Sequence, residues 1–187
     1  MHLGLALIIF SFCMWMGLHF IRDARLPAAA GPGVALSGTI AVLVLVQSLL
    51  GALVAGLDAG TTYTDWPFMD GDVIPSGLFD MSPAVSNLFE SHLTVQFNHR
   101  LVAYVLTVAV IWHVFRLART KAPKPVLVSG ALLVAAVLGQ GVLGIVTLMN
   151  AVPLPLGAAH QLGAVLVLGL AVTHLHYMRF PAVVTIR

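Results

Sequence analysis

Charge is scarce in this chain. Only 9% of its 187 residues are Asp, Glu, Lys or Arg, against roughly a quarter in an ordinary soluble domain, and that shortage excludes a water-soluble globular fold. Cysteine is nearly missing too: Cys13 is the only one, which leaves no disulfide framework and no thiolate metal site within the chain. No basic patch with interleaved aromatics occurs, and the cations sit at the ends of apolar runs, which argues against nucleic acid as a partner. Residues 58–96 contain no Lys or Arg at all. The first apolar run lacks a basic leader and a small-residue cleavage site, so it reads as a membrane helix rather than a cleavable signal.

What is abundant is apolar sequence, 59% of residues with a mean hydropathy of +1.00. A helix needs about 20 apolar residues to cross a hydrocarbon core of about 30 Å. Five runs qualify, near residues 3–21, 35–57, 97–117, 126–148 and 158–178, and each must be helical because a lone strand leaves its backbone unpaired in lipid. The expected fold is an all-α membrane protein of five transmembrane helices surrounded by lipid. Pro27, Pro32, Pro123, Pro125, Pro153, Pro155 and Pro181 are expected in the connections.

Orientation follows from the cations. Arg22 and Arg25 follow the first run, Arg116, Arg119, Lys121 and Lys124 separate the third from the fourth, and Arg179 and Arg187 follow the fifth. By the positive-inside rule these ends are cytoplasmic. The loop 58–96 carries Asp58, Asp65, Asp70, Asp72, Asp80 and Glu90 and lies outside, as does the uncharged turn 149–157. The N-terminus is then outside and the C-terminus inside, and a bacterial plasma membrane is favoured over a mitochondrial inner membrane.

Two of the runs open with a histidine and carry another fourteen residues later, His99 with His113 and His160 with His174. On an α-helix that step is about 21 Å of rise and about 40° short of four full turns, so each pair lines one face at two depths. The second run contains Gln47 and Gly51, and the fourth contains Gln140 and Gly144 at the same spacing. The third opens Asn98-His99-Arg100-Leu101 and the fifth Ala159-His160-Gln161-Leu162. Runs two and three therefore repeat as four and five, which predicts a four-helix bundle with pseudo-twofold symmetry about the membrane normal.

That symmetry sets His99 and His160 at one depth near the outer surface, facing each other across the bundle. A six-coordinate haem iron takes one imidazole above the porphyrin and one below. A bare divalent metal would want three or four ligands, and no carboxylate or cysteine joins this pair within the spans. Less is expected of the other polar residues. His113, His174, His19 and His176 lie near inner-face arginines and read as interfacial imidazoles meeting headgroups or water. His92 belongs to the outer loop. Gln47 and Gln140 read as interhelical hydrogen-bonding residues, Gly51 and Gly144 as close-packing positions.

Several stretches together resemble the second half of haem A synthase, of the type shared by alphaproteobacteria and mitochondria. They are Gly56-Leu57-Asp58-Ala59-Gly60, Trp66-Pro67-Phe68-Met69-Asp70-Gly71, Asn87-Leu88-Phe89-Glu90, Val95-Gln96-Phe97-Asn98-His99-Arg100 and Pro153-Leu154-Pro155 through His160-Gln161. The resemblance covers essentially the whole chain. It implies one of two homologous four-helix bundles in an eight-span enzyme that oxidises a methyl group of haem O to the formyl group of haem A. Haem O would come from the farnesyltransferase that makes it, haem O synthase. His99 and His160 then correspond to the axial ligands of a b-type haem, and no catalytic residue is expected in this half. The family's other bundle carries a glutamate three residues before its first ligand, where this chain has Gln96, and an amide is no general base.

The opening His2-Leu3-Gly4-Leu5-Ala6 resembles the ligand-bearing start of the fifth run. The resemblance makes residues 1–30 the last helix of an N-terminal bundle plus an inner loop, and residues 31–187 the C-terminal bundle with its outer loop 58–96. His2 would be an orphan ligand of the other bundle's haem, and Met1 an internal methionine of a longer protein, the isolated chain being inactive. The loop is expected to cap the haem edge with Trp66 and Phe68, and Arg100 and Gln161 to meet haem propionates or anchor the interface. Two other classes stay open: a di-haem cytochrome using His99/His160 and His113/His174, and a haem-free scaffold. A homo-oligomer is also left open.

Overall fold

The computed structural model describes residues 2–22 and 32–181. Arg25, Arg187 and Pro27, used above for orientation and boundaries, lie outside the described residues, as does the inner loop of the 1–30 segment. Six α-helices account for most of the described chain: α1 (His2–Ile21), α2 (Pro32–Gly56), the short α3 (Asn87–Glu90), α4 (His92–Arg119), α5 (Lys124–Met149) and α6 (Leu154–Arg179). All but α3 are long and apolar enough to cross a membrane. Among the described residues there is no β-strand, only an isolated bridge between Met69 and Asp72.

Helices α2, α4, α5 and α6 form a closed ring in which each packs on the next, α2 on α4, α4 on α5, α5 on α6 and α6 on α2. The repeated pairs, α2 with α4 and α5 with α6, are the two halves of that ring. Helix α1 lies outside it, packed mainly on α6, where Gly169 admits the ring of Phe10. The core along the axis is made by Ile40 and Val44 of α2, Leu106 and Val110 of α4, Leu133 and Val137 of α5, and Leu168 and Val172 of α6. Outward positions such as Val42, Val108, Trp112, Leu132, Val142 and Leu166 are exposed and apolar. Lipid is as apolar as these side chains, so packing and interhelical hydrogen bonds hold such a bundle together.

Helix starts depart from expectation in one direction. Helix α4 begins at His92, not near 97, because Ser91 caps it by accepting from the Thr94 amide at 3.3 Å; His92 is thus the first helical residue rather than loop. Pro32, Pro125 and Pro155 are not in connections but in the first turns of α2, α5 and α6. A proline costs nothing there, since first-turn amides have no intrahelical acceptor. His99 and His160 therefore lie about two turns inside their helices rather than at the openings.

The long connection between α2 and α4, at the end of the bundle expected to face outward, is stapled down. Buried Asn87 donates to the carbonyls of Met81 and Ala84 and accepts from the Met81 amide, and Thr94 Oγ1 donates to the Leu78 carbonyl. Gln96 Nε2 donates to the Tyr63 carbonyl at 2.9 Å, and one turn later the Arg100 guanidinium donates to the carbonyls of Tyr63, Asp65 and Phe68 at 2.9–3.1 Å.

Candidate haem-binding site

His99 and His160 are brought together. Their ring centroids are 6.5 Å apart with planes at 82°. A metal held between two imidazoles sits about 2.0 Å from each nitrogen, which puts the nitrogens about 4 Å apart and the ring centroids about 6.3 Å apart. The outer pair has that separation. Neither ring bonds the other; each is held by the long helix before its own, His99 by α2 and His160 by α5. Gln47 Nε2 lies 3.0 Å from His99 Nδ1 and donates to the His99 carbonyl at 3.0 Å. Gln140 Nε2 lies 3.1 Å from His160 Nδ1 and donates to the His160 carbonyl at 2.6 Å. Gly51 and Gly144 leave the space into which the rings fit: a Cβ there would approach Cε1 of His99 to 3.1 Å and of His160 to 2.8 Å. No group of three or more His, Cys, Asp or Glu suited to a bare metal occurs among the described residues. Two imidazoles at that separation, without a third ligand, fit an iron whose other positions a porphyrin would supply.

The inner pair is different, and it corrects the expectation of interfacial imidazoles. His113 and His174 are buried, 2% and 0% exposed, and their Nε2 atoms lie 3.0 Å apart in a direct hydrogen bond. Ser129 Oγ lies 2.8 Å from His174 Nδ1. Their centroids are only 5.2 Å apart, and a nitrogen separation of 3.0 Å leaves no room for a metal needing about 4 Å. The second haem of the di-haem reading is therefore not favoured. His176 is also buried rather than interfacial, with Nδ1 3.0 Å from the Arg22 guanidinium, which also donates to the Phe180 carbonyl at the end of α6. His19 is half-buried against His176. Buried imidazoles inside a membrane bundle pair with one another or with other polar groups.

The remaining candidates scatter. Arg100 turns its guanidinium tips to the loop carbonyls, leaving only Nε buried and without a partner. Gln161 is exposed beside His160 and has no hydrogen-bond partner among the described residues. His2 is exposed in the first turn of α1, outside the ring. Gln96 is 2% exposed and serves the loop through Nε2. Trp66 and Phe68 are exposed on the loop, and Trp66 donates to the Tyr104 hydroxyl at 3.1 Å. The Gln96/Arg100 staple was missed in the sequence; its signal was a one-turn spacing that places both side chains on one face of α4.

A ring of four helices long and apolar enough to span a membrane, with one matched histidine pair brought together toward its loop end, defines a multi-pass helical membrane protein. Within that class, the chain belongs to the COX15-CtaA family, described as cytochrome oxidase assembly protein, which matches residues 1–172. Among curated relatives, the haem A synthase of Parvibaculum lavamentivorans is 46% identical, covering 94% of this chain and 49% of that protein. The haem A synthase of Rhizobium meliloti is 45% identical over 92% of this chain and 47% of its own length, and that of Rhodopseudomonas palustris 43% over 96% and 49%. The chain thus spans about half the length of the curated relatives it matches. No solved structure matches it.

Proposed function

We propose that this chain forms a b-type haem site of a haem A synthase, with His99 and His160 as axial ligands. The observation that carries this reading is the outer pair itself: two imidazoles a metal's width apart, each clamped by a glutamine and fitted against a glycine of the neighbouring helix. The haem, when bound, supplies a one-electron carrier near the outer surface. The chain's own residues hold and orient the ligating nitrogens. The stapled loop screens that end of the bundle from water, and Gln161, exposed and unpartnered, is better placed than Arg100 to meet a propionate.

The enzyme's reaction, in this reading, is oxidation of a methyl group of haem O to the formyl group of haem A, with haem O delivered by haem O synthase. The carboxylate and ligands for the substrate haem belong to the family's other bundle, which His2 would serve. Buried Gln96, an amide committed to the loop, supports a non-catalytic role for this bundle, and the isolated chain is inactive. The acidic loop at one end of the bundle and the cluster Arg116, Arg119, Lys121 and Lys124 at the other support a bacterial plasma-membrane orientation with the loop outside.

The test is spectroscopic. Purified with haem supplied, the protein shows a low-spin Soret band, and His99→Ala or His160→Ala abolishes it. A band unchanged in either variant overturns the ligand assignment.

A further inference from the structure

Gln47 and Gln140 repeat one construction twice. Each amide nitrogen lies within hydrogen-bond distance of a ring Nδ1 and of the carbonyl of the same histidine, at 3.0 and 3.0 Å for His99 and 3.1 and 2.6 Å for His160. In each case the glycine four residues later lies against that ring's Cε1. Positions i and i+4 share a helix face, so Gln-x-x-x-Gly on α2 and on α5 is a cradle: the amide grips one edge of the imidazole and the glycine frees the space beside it. Both amides single out the histidine, and Nδ1 is the nearer ring nitrogen in each case, at 3.0 Å against 3.4 Å to Nε2 for His99 and at 3.1 Å for His160. Nε2, the ring nitrogen farther from each amide, is then the ligating atom.

We infer that Gln47 and Gln140 are positioning residues for the two haem ligands, fixing which nitrogen binds iron, the rotation of each ring, and how strongly it donates to the metal. The inference rests on the haem reading above. An imidazole bound through Nε2 keeps its proton on Nδ1 and needs an acceptor for it, and that second hydrogen bond raises the ligand's basicity. A side-chain amide offers a nitrogen donor and an oxygen acceptor that exchange places by a half-turn. With haem bound, the amide turns to offer its oxygen to Nδ1–H and gives up its bond to the histidine carbonyl; Gln47 Oε1, buried with no partner, has no other bond to lose. The carbonyl of a glutamine is a weaker acceptor than a carboxylate, so it tunes the haem to an intermediate potential, whereas a carboxylate would stabilise the ferric state further.

The experiment compares Gln47→Leu, Gln140→Leu, Gln47→Glu and Gln140→Glu in the full chain reconstituted with haem b. Haem affinity, midpoint potential and the ferric low-spin electron paramagnetic resonance spectrum are read for each. Expected are an affinity about 10- to 100-fold lower, a raised potential and altered g-values in the Leu variants. In the Glu variants affinity is restored and the potential falls below wild type. Leu variants with wild-type potential and spectrum, differing only in thermal stability, would overturn the inference and leave the glutamines as packing residues. If the Leu variants do not fold, the Glu variants decide, since an unchanged potential there overturns it equally. Failure of the underlying haem reading looks different: wild type binds no haem, or His99→Ala keeps it.

Discussion

The two ends of the bundle hold histidine pairs of identical sequence spacing, yet they are built for different tasks. At the outer end the rings stand 6.5 Å apart, and each is gripped from behind by a glutamine. At the inner end the rings bond each other at 3.0 Å, and a serine supports one of them. The difference teaches that what the neighbouring helix offers decides the role of an imidazole in a membrane. Where α2 and α5 present a glutamine amide, the two rings stand apart without bonding each other, as the proposed haem site requires. Where α5 presents the Ser129 hydroxyl instead, the two rings satisfy one another, the cheapest solution for a polar group in hydrocarbon.

The comparison breaks most sharply at the ligands. Replacing His99 or His160 by Ala removes the Soret band, while His113→Leu or His174→Leu leaves haem content at wild-type level; pyridine haemochrome assays on the four variants decide it. Next in size are the glycines. Gly144→Ala, whose new Cβ would meet His160 at 2.8 Å, lowers haem occupancy more than Gly51→Ala, where the approach is 3.1 Å, and equal occupancy in both would count against the cradle. Gly130→Ala crowds Val114 at 2.9 Å and His174 at 3.2 Å. It lowers thermal stability by about 1–3 kcal/mol through overpacking without moving the haem spectrum, as melting followed at the Soret and by circular dichroism would show.

A smaller effect sharpens the outer end further. Arg100→Gln removes the fork that holds the carbonyls of Asp65 and Phe68, so limited proteolysis between residues 58 and 91 should accelerate while the haem spectrum holds. Smallest is Ser129→Ala, which loses one hydrogen bond to His174 and, on the scale of measured interhelical bonds in membranes, costs about 0.6 kcal/mol.

Much of this was legible in the sequence. The five spans, the repeat and the pairing of His99 with His160 follow from hydropathy and spacing, because ionisable residues inside the apolar runs are few enough that each one carries information. Helix starts were not legible to the residue, since Pro125 and Pro155 can end one element or begin another, and only the N-terminal turn geometry chooses. The inner histidines were misplaced because Arg116 and Arg179 lie close in sequence to His113 and His174. The fourteen-residue step keeps His113 nearly on the face of His99, and that face points into the ring. Arg100 was read toward a cofactor because it adjoins a ligand, but its neighbour in space is the loop.

The central claim is that the outer pair alone carries haem. The most direct measurement is the haem-to-protein ratio of the purified chain and of its His113→Leu/His174→Leu double variant, with haem supplied in excess. The account gives one haem per chain in both. Two haems in the wild type falling to one in the double variant, or none in either, would contradict it.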